Sequence, residues 1–224
     1  MLLTVPGVLK PDEVALARGW LEGVRFVDGK ASAGAAARRV KKNLEAERAA
    51  GALERLDEMV MGHLARHPAY RAGALPLHAA TPLYIRYAPG MEYGDHLDDP
   101  IMGTGGVLYR SDVALTLFLS SPEDYDGGEL MIRGASGEQM VKLPAGDAVL
   151  YPAGTIHRVN PVTRGERLVA VTWVQSVVRD PVQRELLYGL NLAREKLLST
   201  APDAEETAQV NAAYSNLIRM WSDL

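Results

Sequence analysis

The chain contains no cysteine, which excludes structural disulfides, thiolate zinc sites, iron–sulfur clusters and thiol nucleophiles. Any metal must sit on nitrogen and oxygen. Positive charge is not in excess either. The 24 Lys and Arg stand against 28 Asp and Glu, a formal net charge of -4, so the overall field does not draw in phosphate backbones or anionic lipid. Nucleic acid is not an expected partner. No stretch reaches the ~18 apolar residues of a membrane span, and the N-terminal MLLTVPGVLKPDE has no basic stretch leading into a long apolar run. The expectation is a cytoplasmic protein with no membrane partner. Hydrophobic content of 47% and charged content of 23% exclude a disordered or collagen-like chain. At 224 residues, one catalytic domain with appendages is expected.

Three regions follow from the texture of the chain. Residues 1–76 begin with a short apolar strand, and Pro11-Asp12-Glu13 then opens a helix to about Leu21, with proline and acids where a helix N-terminus tolerates them. Val40, Leu44, Leu53, Leu56, Val60 and Leu64 recur at helical spacing and predict a second helix over about 35–64, interrupted near Gly51 and ended by Pro68. Ala31 to Ala37 reads as a small-residue loop or frayed helix start. Residues 77–178 change to short β-branched and aromatic runs between Gly, Pro and Asp turns. Strands are predicted near 81–88, 112–120, 128–133, 138–143, 147–151, 155–159 and 166–176. Such a series suggests a double-sheet jelly roll, mainly β with α flanks, whose mouth hosts a small-molecule site. Residues 179–224 return to helix, at about 182–198 and from Asp203 to about Trp221. This tail either covers the core or forms the surface of a homodimer.

Chemistry concentrates in two distant stretches. In an extended segment His96 and Asp98 point to the same face while Leu97 faces away. Composition alone gives roughly 0.6 His-x-acid pairs in such a chain, so this pair by itself reads equally well as a surface histidine beside an acid. His157 follows the turn Pro152-Ala153-Gly154 between two apolar runs, where a lone histidine is commonly structural. Together they make two imidazoles and one carboxylate, the facial set that binds non-haem Fe(II) and leaves three positions open. A 2-oxo acid can take two of these and O₂ the third. Arg167 enters the next apolar strand, and an arginine inside an apolar barrel needs an anion, which the distal carboxylate of 2-oxoglutarate supplies. The alternatives are a strand-edge pairing of Arg167 with Glu166, and Arg164 as the anion-binding arginine.

At this point the chain resembles a known family. The run YAPGMEYGDHLD at 87–98, with LTLFL at 115–119, YDGGEL at 125–130, LYP at 150–152, His157 and PVTRGER at 161–167, is similar to the prolyl-4-hydroxylase-like Fe(II)/2-oxoglutarate dioxygenases, and among them to the bacterial PKHD-type hydroxylases. The motifs cover about 80–180, and the helical tail after WVQSVVRD at 173–180 extends the likeness over the chain. The resemblance implies iron at His96, Asp98 and His157, 2-oxoglutarate held by Arg167, ascorbate as the reductant that keeps iron ferrous, and release of succinate and CO₂ on hydroxylation. It also implies that Tyr87 lines the 2-oxoglutarate pocket, where its other role would be a core aromatic, and that Gly127-Gly128 is a structural turn. The substrate, small-molecule or peptidyl, is not specified by these motifs.

The remaining features carry less. Met102 to Arg110 is glycine-rich and follows the first two ligands, which suggests a mobile lid over the substrate, the alternative being a long hairpin without function; it lacks the Lys-Ser/Thr ending of a phosphate loop. His63 and His67 lie four apart without the acid of a His-Glu-x-x-His site, as expected of helix-end histidines. The rival in another class is a metal-binding or sensor β-barrel without oxygenase chemistry.

Overall fold

The segment Val113–Phe118 buries all six of its side chains, as a strand covered on both faces must, and the fold is organised around it. A computed structural model describes residues 1–48, 51, 53–104, 106–134 and 137–224. Its strands are β1 (Leu3–Val5), β2 (Phe26–Asp28), β3 (Lys41–Lys42), β4 (Leu44–Ala46), β5 (Pro76–Ala79), β6 (Leu83–Tyr87), β7 (Glu92–His96), β8 (Ile101–Thr104), β9 (Val107–Arg110), β10 (Val113–Phe118), β11 (Tyr125–Gly127), β12 (Leu130–Gly134), β13 (Gly137–Val141), β14 (Ala148–Pro152), β15 (His157–Val159), β16 (Val162–Gly165) and β17 (Arg167–Ser176). The helices are α1 (Pro11–Glu22), α2 (Glu54–Arg66), α3 (Pro68–Ala74), α4 (Pro181–Thr200) and α5 (Glu205–Trp221).

Two antiparallel sheets make the jelly roll. The larger runs β1-β14-β10-β17-β6-β4-β2, with β5 also on β17, and the smaller runs β13-β12-β15-β7-β3. The period of two decides what each face of the larger sheet does. Val113, Leu115 and Leu117 of β10, with Leu168, Ala170 and Val174 of β17, pack outward against Leu21 of α1 and Leu56, Val60 and Leu64 of α2. The alternate positions Ala114, Phe118, Val149, Tyr151 and Val169 face the smaller sheet. Arg167 has the parity of Val169, so the strand itself turns its guanidinium inward. The Gly127-Gly128 turn is structural: both have positive φ, and a Cβ on Gly127 would lie 2.0 Å from the Pro161 carbonyl oxygen.

The tail forms as its sequence indicates. The Asp180 side chain caps α4 by accepting from the Val182 and Gln183 amides, and Pro181 occupies the first helical turn. Buried Arg184 fastens α4 to the barrel by donating to the carbonyls of Val178, Arg179 and Asp112.

The single helix expected over 35–64 is corrected. Residues 37–46 hold a short 3₁₀ turn, β3 and β4, and the helix begins only at Glu54; residues 49, 50 and 52 of that span lie outside the described residues. The buried set here is polar and has a period of two: Lys41, Asn43 and Glu45 all point inward, so the apolar spacing of Val40 and Leu44 misleads. Lys41 Nζ meets Glu45 Oε1 at 2.5 Å and Ser32 Oγ at 2.8 Å. β3 pairs with β7 while β4 pairs with β6, so this segment joins the two sheets. The helix ends at Arg66, just before Pro68 as expected, and Pro68 itself opens α3. The stretch expected to be a lid holds an antiparallel pair of β8 and β9 in which Met102 faces Tyr109; Gly105 lies outside the described residues.

The Lys41–Glu45 pair is testable by unfolding. Glu45→Ala leaves an ammonium that is 5% exposed without its counter-charge and is expected to destabilise the protein by about 3–5 kcal/mol. Replacing both, Lys41→Met with Glu45→Leu, should cost much less; equal losses in urea titrations would show that the pair is not buried as a unit.

Candidate metal and cosubstrate site

His96 ends β7, His157 begins β15, and the two are directly opposed in the antiparallel ladder. Opposed residues share a face, and the rings lie 4.2 Å apart between centroids. His96 Nδ1 is 2.8 Å from the Gly94 carbonyl oxygen and His157 Nδ1 is 2.9 Å from that of Thr155. Each Nδ1–H therefore donates to its own chain, which leaves both Nε2 lone pairs free as ligands. Asp98 lies beyond the end of β7, so the carboxylate is supplied from the turn and not from the strand itself. Its Oδ1 is 3.8 Å from His157 Nε2, and one ligand atom from each of the three residues falls within 4.8 Å of the others.

The electrostatics prepare these groups for a cation. Burial, and then the neighbouring His157, push the His96 pKa down to about 3, against the Gly94 hydrogen bond, so the ring is neutral at physiological pH. Burial raises the Asp98 pKa, opposed by His157 and by the Trp173 indole. Neither Asp98 Oδ2 nor Trp173 Nε1 completes a hydrogen bond, and both are buried. A buried carboxylate oxygen without a donor is costly. A divalent ion between the two Nε2 atoms and Asp98 would relieve that cost, so the donor set fits a hard-to-borderline metal with nitrogen and oxygen ligands.

Opposite charge is left uncompensated deeper in the same cavity. Arg167 is 1% exposed, its Nε has no partner, and it forms no ion pair with a carboxylate among the described residues. Its guanidinium carbon sits 5.1 Å from the Tyr87 ring centroid and 5.5 Å from that of Phe118. Tyr87 faces Arg167 across the β6–β17 ladder, and its hydroxyl accepts from Asn43 Nδ2 at 2.9 Å. Glu166, the alternative partner for Arg167, pairs instead with Arg86 at 3.2 Å. Arg164, the alternative anion site, is exposed and bound to Asp126. A Cβ on Gly128 would lie 3.1 Å from Arg167 Cδ, so the turn also gives the arginine stem its room.

All five sequence-indicated residues line one cavity of about 550 Å³. The sequence reading did not single out Tyr93, stacked on the His96 ring at 3.5 Å, nor Thr116, Tyr151, Trp173 and Lys41, which also line it. Strand parity with Arg167 could have found Trp173; Tyr93 and Lys41 lie on segments whose pairing only the fold supplies. His63 and His67 are engaged separately, His63 with Glu13 and His67 with the Pro6 carbonyl.

Comparison with known proteins agrees with this arrangement. Residues 82–175 match the 2OG-Fe(II) oxygenase superfamily and residues 182–223 the PKHD-type hydroxylase C-terminal domain. Among solved structures, a Pseudomonas putida prolyl-4-hydroxylase superposes with a TM-score of 0.51 at 22% identity, covering 78% of this chain and 92% of that one. HygX from Streptomyces hygroscopicus, with nickel and 2-oxoglutarate bound, gives 0.53 at 19% identity, covering 79% and 84%. At these identities they establish the shared fold. A PKHD-type hydroxylase of Thioalkalivibrio sulfidiphilus is 48% identical, and one of Paracoccus denitrificans 44%, each over all of both chains. With such likeness from end to end, the chain belongs to the PKHD-type hydroxylases, within the 2OG-Fe(II) oxygenase superfamily.

Proposed function

We propose that the protein hydroxylates a C–H bond of a small-molecule or peptidyl substrate, with Fe(II) held by His96, Asp98 and His157 and with 2-oxoglutarate held by Arg167. Bound by His96, Asp98 and His157, iron would supply the activation of O₂, with 2-oxoglutarate as the co-reductant that would end as succinate and CO₂. The observation that carries this reading is the pair of buried, unneutralised charges in one cavity: a carboxylate between two free Nε2 atoms, and beyond it a guanidinium with no acid of its own. A metal chelated by one end of a dicarboxylate whose other end reaches Arg167 would neutralise both.

The chain's own part is to bind, orient and shelter. His96 and His157 act as neutral ligands whose Nδ1–H bonds fix the ring planes. Arg167 offers a planar fork to a carboxylate in a site of low dielectric. Tyr87 has an added task. Because Asn43 donates to its oxygen, its own hydroxyl proton is available to the carboxylate that Arg167 binds. Tyr151 and Phe118 keep the inner wall closed to water. Ascorbate is the reductant assigned to keep the iron ferrous.

Anaerobic addition of Fe(II) and 2-oxoglutarate should produce a visible metal-to-ligand charge-transfer band. Arg167→Ala should weaken 2-oxoglutarate binding on the order of 100-fold, the loss of a charge-assisted bidentate pair, with Fe(II) binding retained. A wild type without the band removes the 2-oxoglutarate assignment.

A second expectation concerns the metal-free protein and pH. The unfolded chain protonates His96 near 6.5, the folded chain only near about 3, so the unfolded state takes up the proton first as pH falls. Stability is unaffected by this group above about 6.5 and is lost progressively towards 3. Asp98, raised by burial, works in the opposite sense. Melting temperatures of chelator-treated wild type should therefore fall more steeply between pH 7 and 4 than those of His96→Gln; parallel curves would contradict the burial of a neutral ring.

A further inference from the structure

We infer that the substrate carries a cationic group, a primary ammonium or a guanidinium, and that Asp99 at the cavity mouth is the residue that binds it. The inference rests on the proposed iron and 2-oxoglutarate reading and extends it to the substrate. It begins with charge. Fe(II) and the dianion of 2-oxoglutarate, together with Asp98 and Arg167, leave the inner cavity neutral. Lys41 is cancelled by Glu45 at 2.5 Å. Among the described charged residues lining the cavity, the exposed Asp99 alone is then without a counter-charge.

Asp99 is held in place although its carboxylate is free. Ser111 Oγ donates to its carbonyl oxygen at 2.6 Å, and the Ser111 amide donates to the carbonyl of Pro100 at 3.0 Å, which fixes the base of the β8–β9 hairpin. On the other side the carboxylate rests against Gly34, where a Cβ would lie 2.8 Å from Oδ1. Among the described residues no side chain donates to this carboxylate. The nearby Arg38 is turned away, with its guanidinium on the carbonyls of Lys30 and Ala33.

The walls beside it suit a cation with an aliphatic stem. Tyr93, Tyr109 and Trp173 present aromatic rings to the cavity, and such faces attract ammonium and guanidinium groups within about 6 Å. Ala31, Ala33 and Gly34 opposite leave width for a chain or peptide.

The test uses the full chain loaded anaerobically with Fe(II) and 2-oxoglutarate, with perturbation of the charge-transfer band as the readout. The probes are n-butylammonium, n-butylguanidinium, 1-butanol and valerate. The two cations should bind at least tenfold more tightly than 1-butanol, valerate should bind least, and the preference should shrink in 0.5 M salt, about a threefold drop being expected for a rim charge. Asp99→Asn should abolish the preference and Asp99→Glu should restore part of it. Equal binding of cation and alcohol, a preference for valerate, or a cation preference that survives Asp99→Asn overturns the inference while the band itself still supports the iron and 2-oxoglutarate reading. A wild type without the band overturns both.

Discussion

Two groups of opposite sign, a carboxylate and a guanidinium in one cavity, neither fully hydrogen-bonded among the described residues, set the terms for everything around them. Among the described residues Asp98 Oδ2 has no donor and Arg167 Nε no acceptor. Either left in a dry interior would cost several kcal/mol, a sizeable part of the stability of a domain of this kind. The protein tolerates them because the flanking structure is heavily over-determined: β10 is covered on both faces, and α1 and α2 seal the outer side of the larger sheet. The stability gained there offsets the cost at the mouth of the barrel, which the proposed metal and dicarboxylate would relieve.

Geometry then follows from the sheet. Direct opposition of His96 and His157 in one ladder brings two imidazoles from residues sixty apart to a common point with no loop rearrangement needed. The guanidinium comes from the facing sheet by strand parity, and its stem passes a glycine turn that leaves just the space it requires. The two histidines and the arginine are thus carried by different sheets, with the cavity between them.

The outline of this arrangement was legible in the sequence, and the reasons are local. His157 and Arg167 sit in strands that their β-branched runs and Gly/Pro boundaries predict, and a period of two turns Arg167 inward; His96 and Asp98 were legible only as an extended pair, in a stretch where no strand is predicted, and β7 ends at His96, before Asp98. Tail helices announce themselves through Asp180-Pro181 and their apolar spacing. The segment 35–46 was misread because its buried residues are Lys41, Asn43 and Glu45, a polar set that a search for apolar periodicity passes over. Tyr93 and Tyr151 escaped notice for another reason: an aromatic in a strand looks the same whether it fills a core or walls a site, and only the partner across the ladder tells which.

That short segment has a broader bearing on how such a protein can diversify. Since β3 is stitched to the histidine-bearing strand and β4 to the tyrosine-bearing one, the stretch of Ala and Gly just before them is suspended from a fixed frame. Insertions or exchanges there would reshape the entrance while leaving the metal ligands and the arginine where they are. One chemistry could in this way be fitted to many substrates by rewriting a dozen residues.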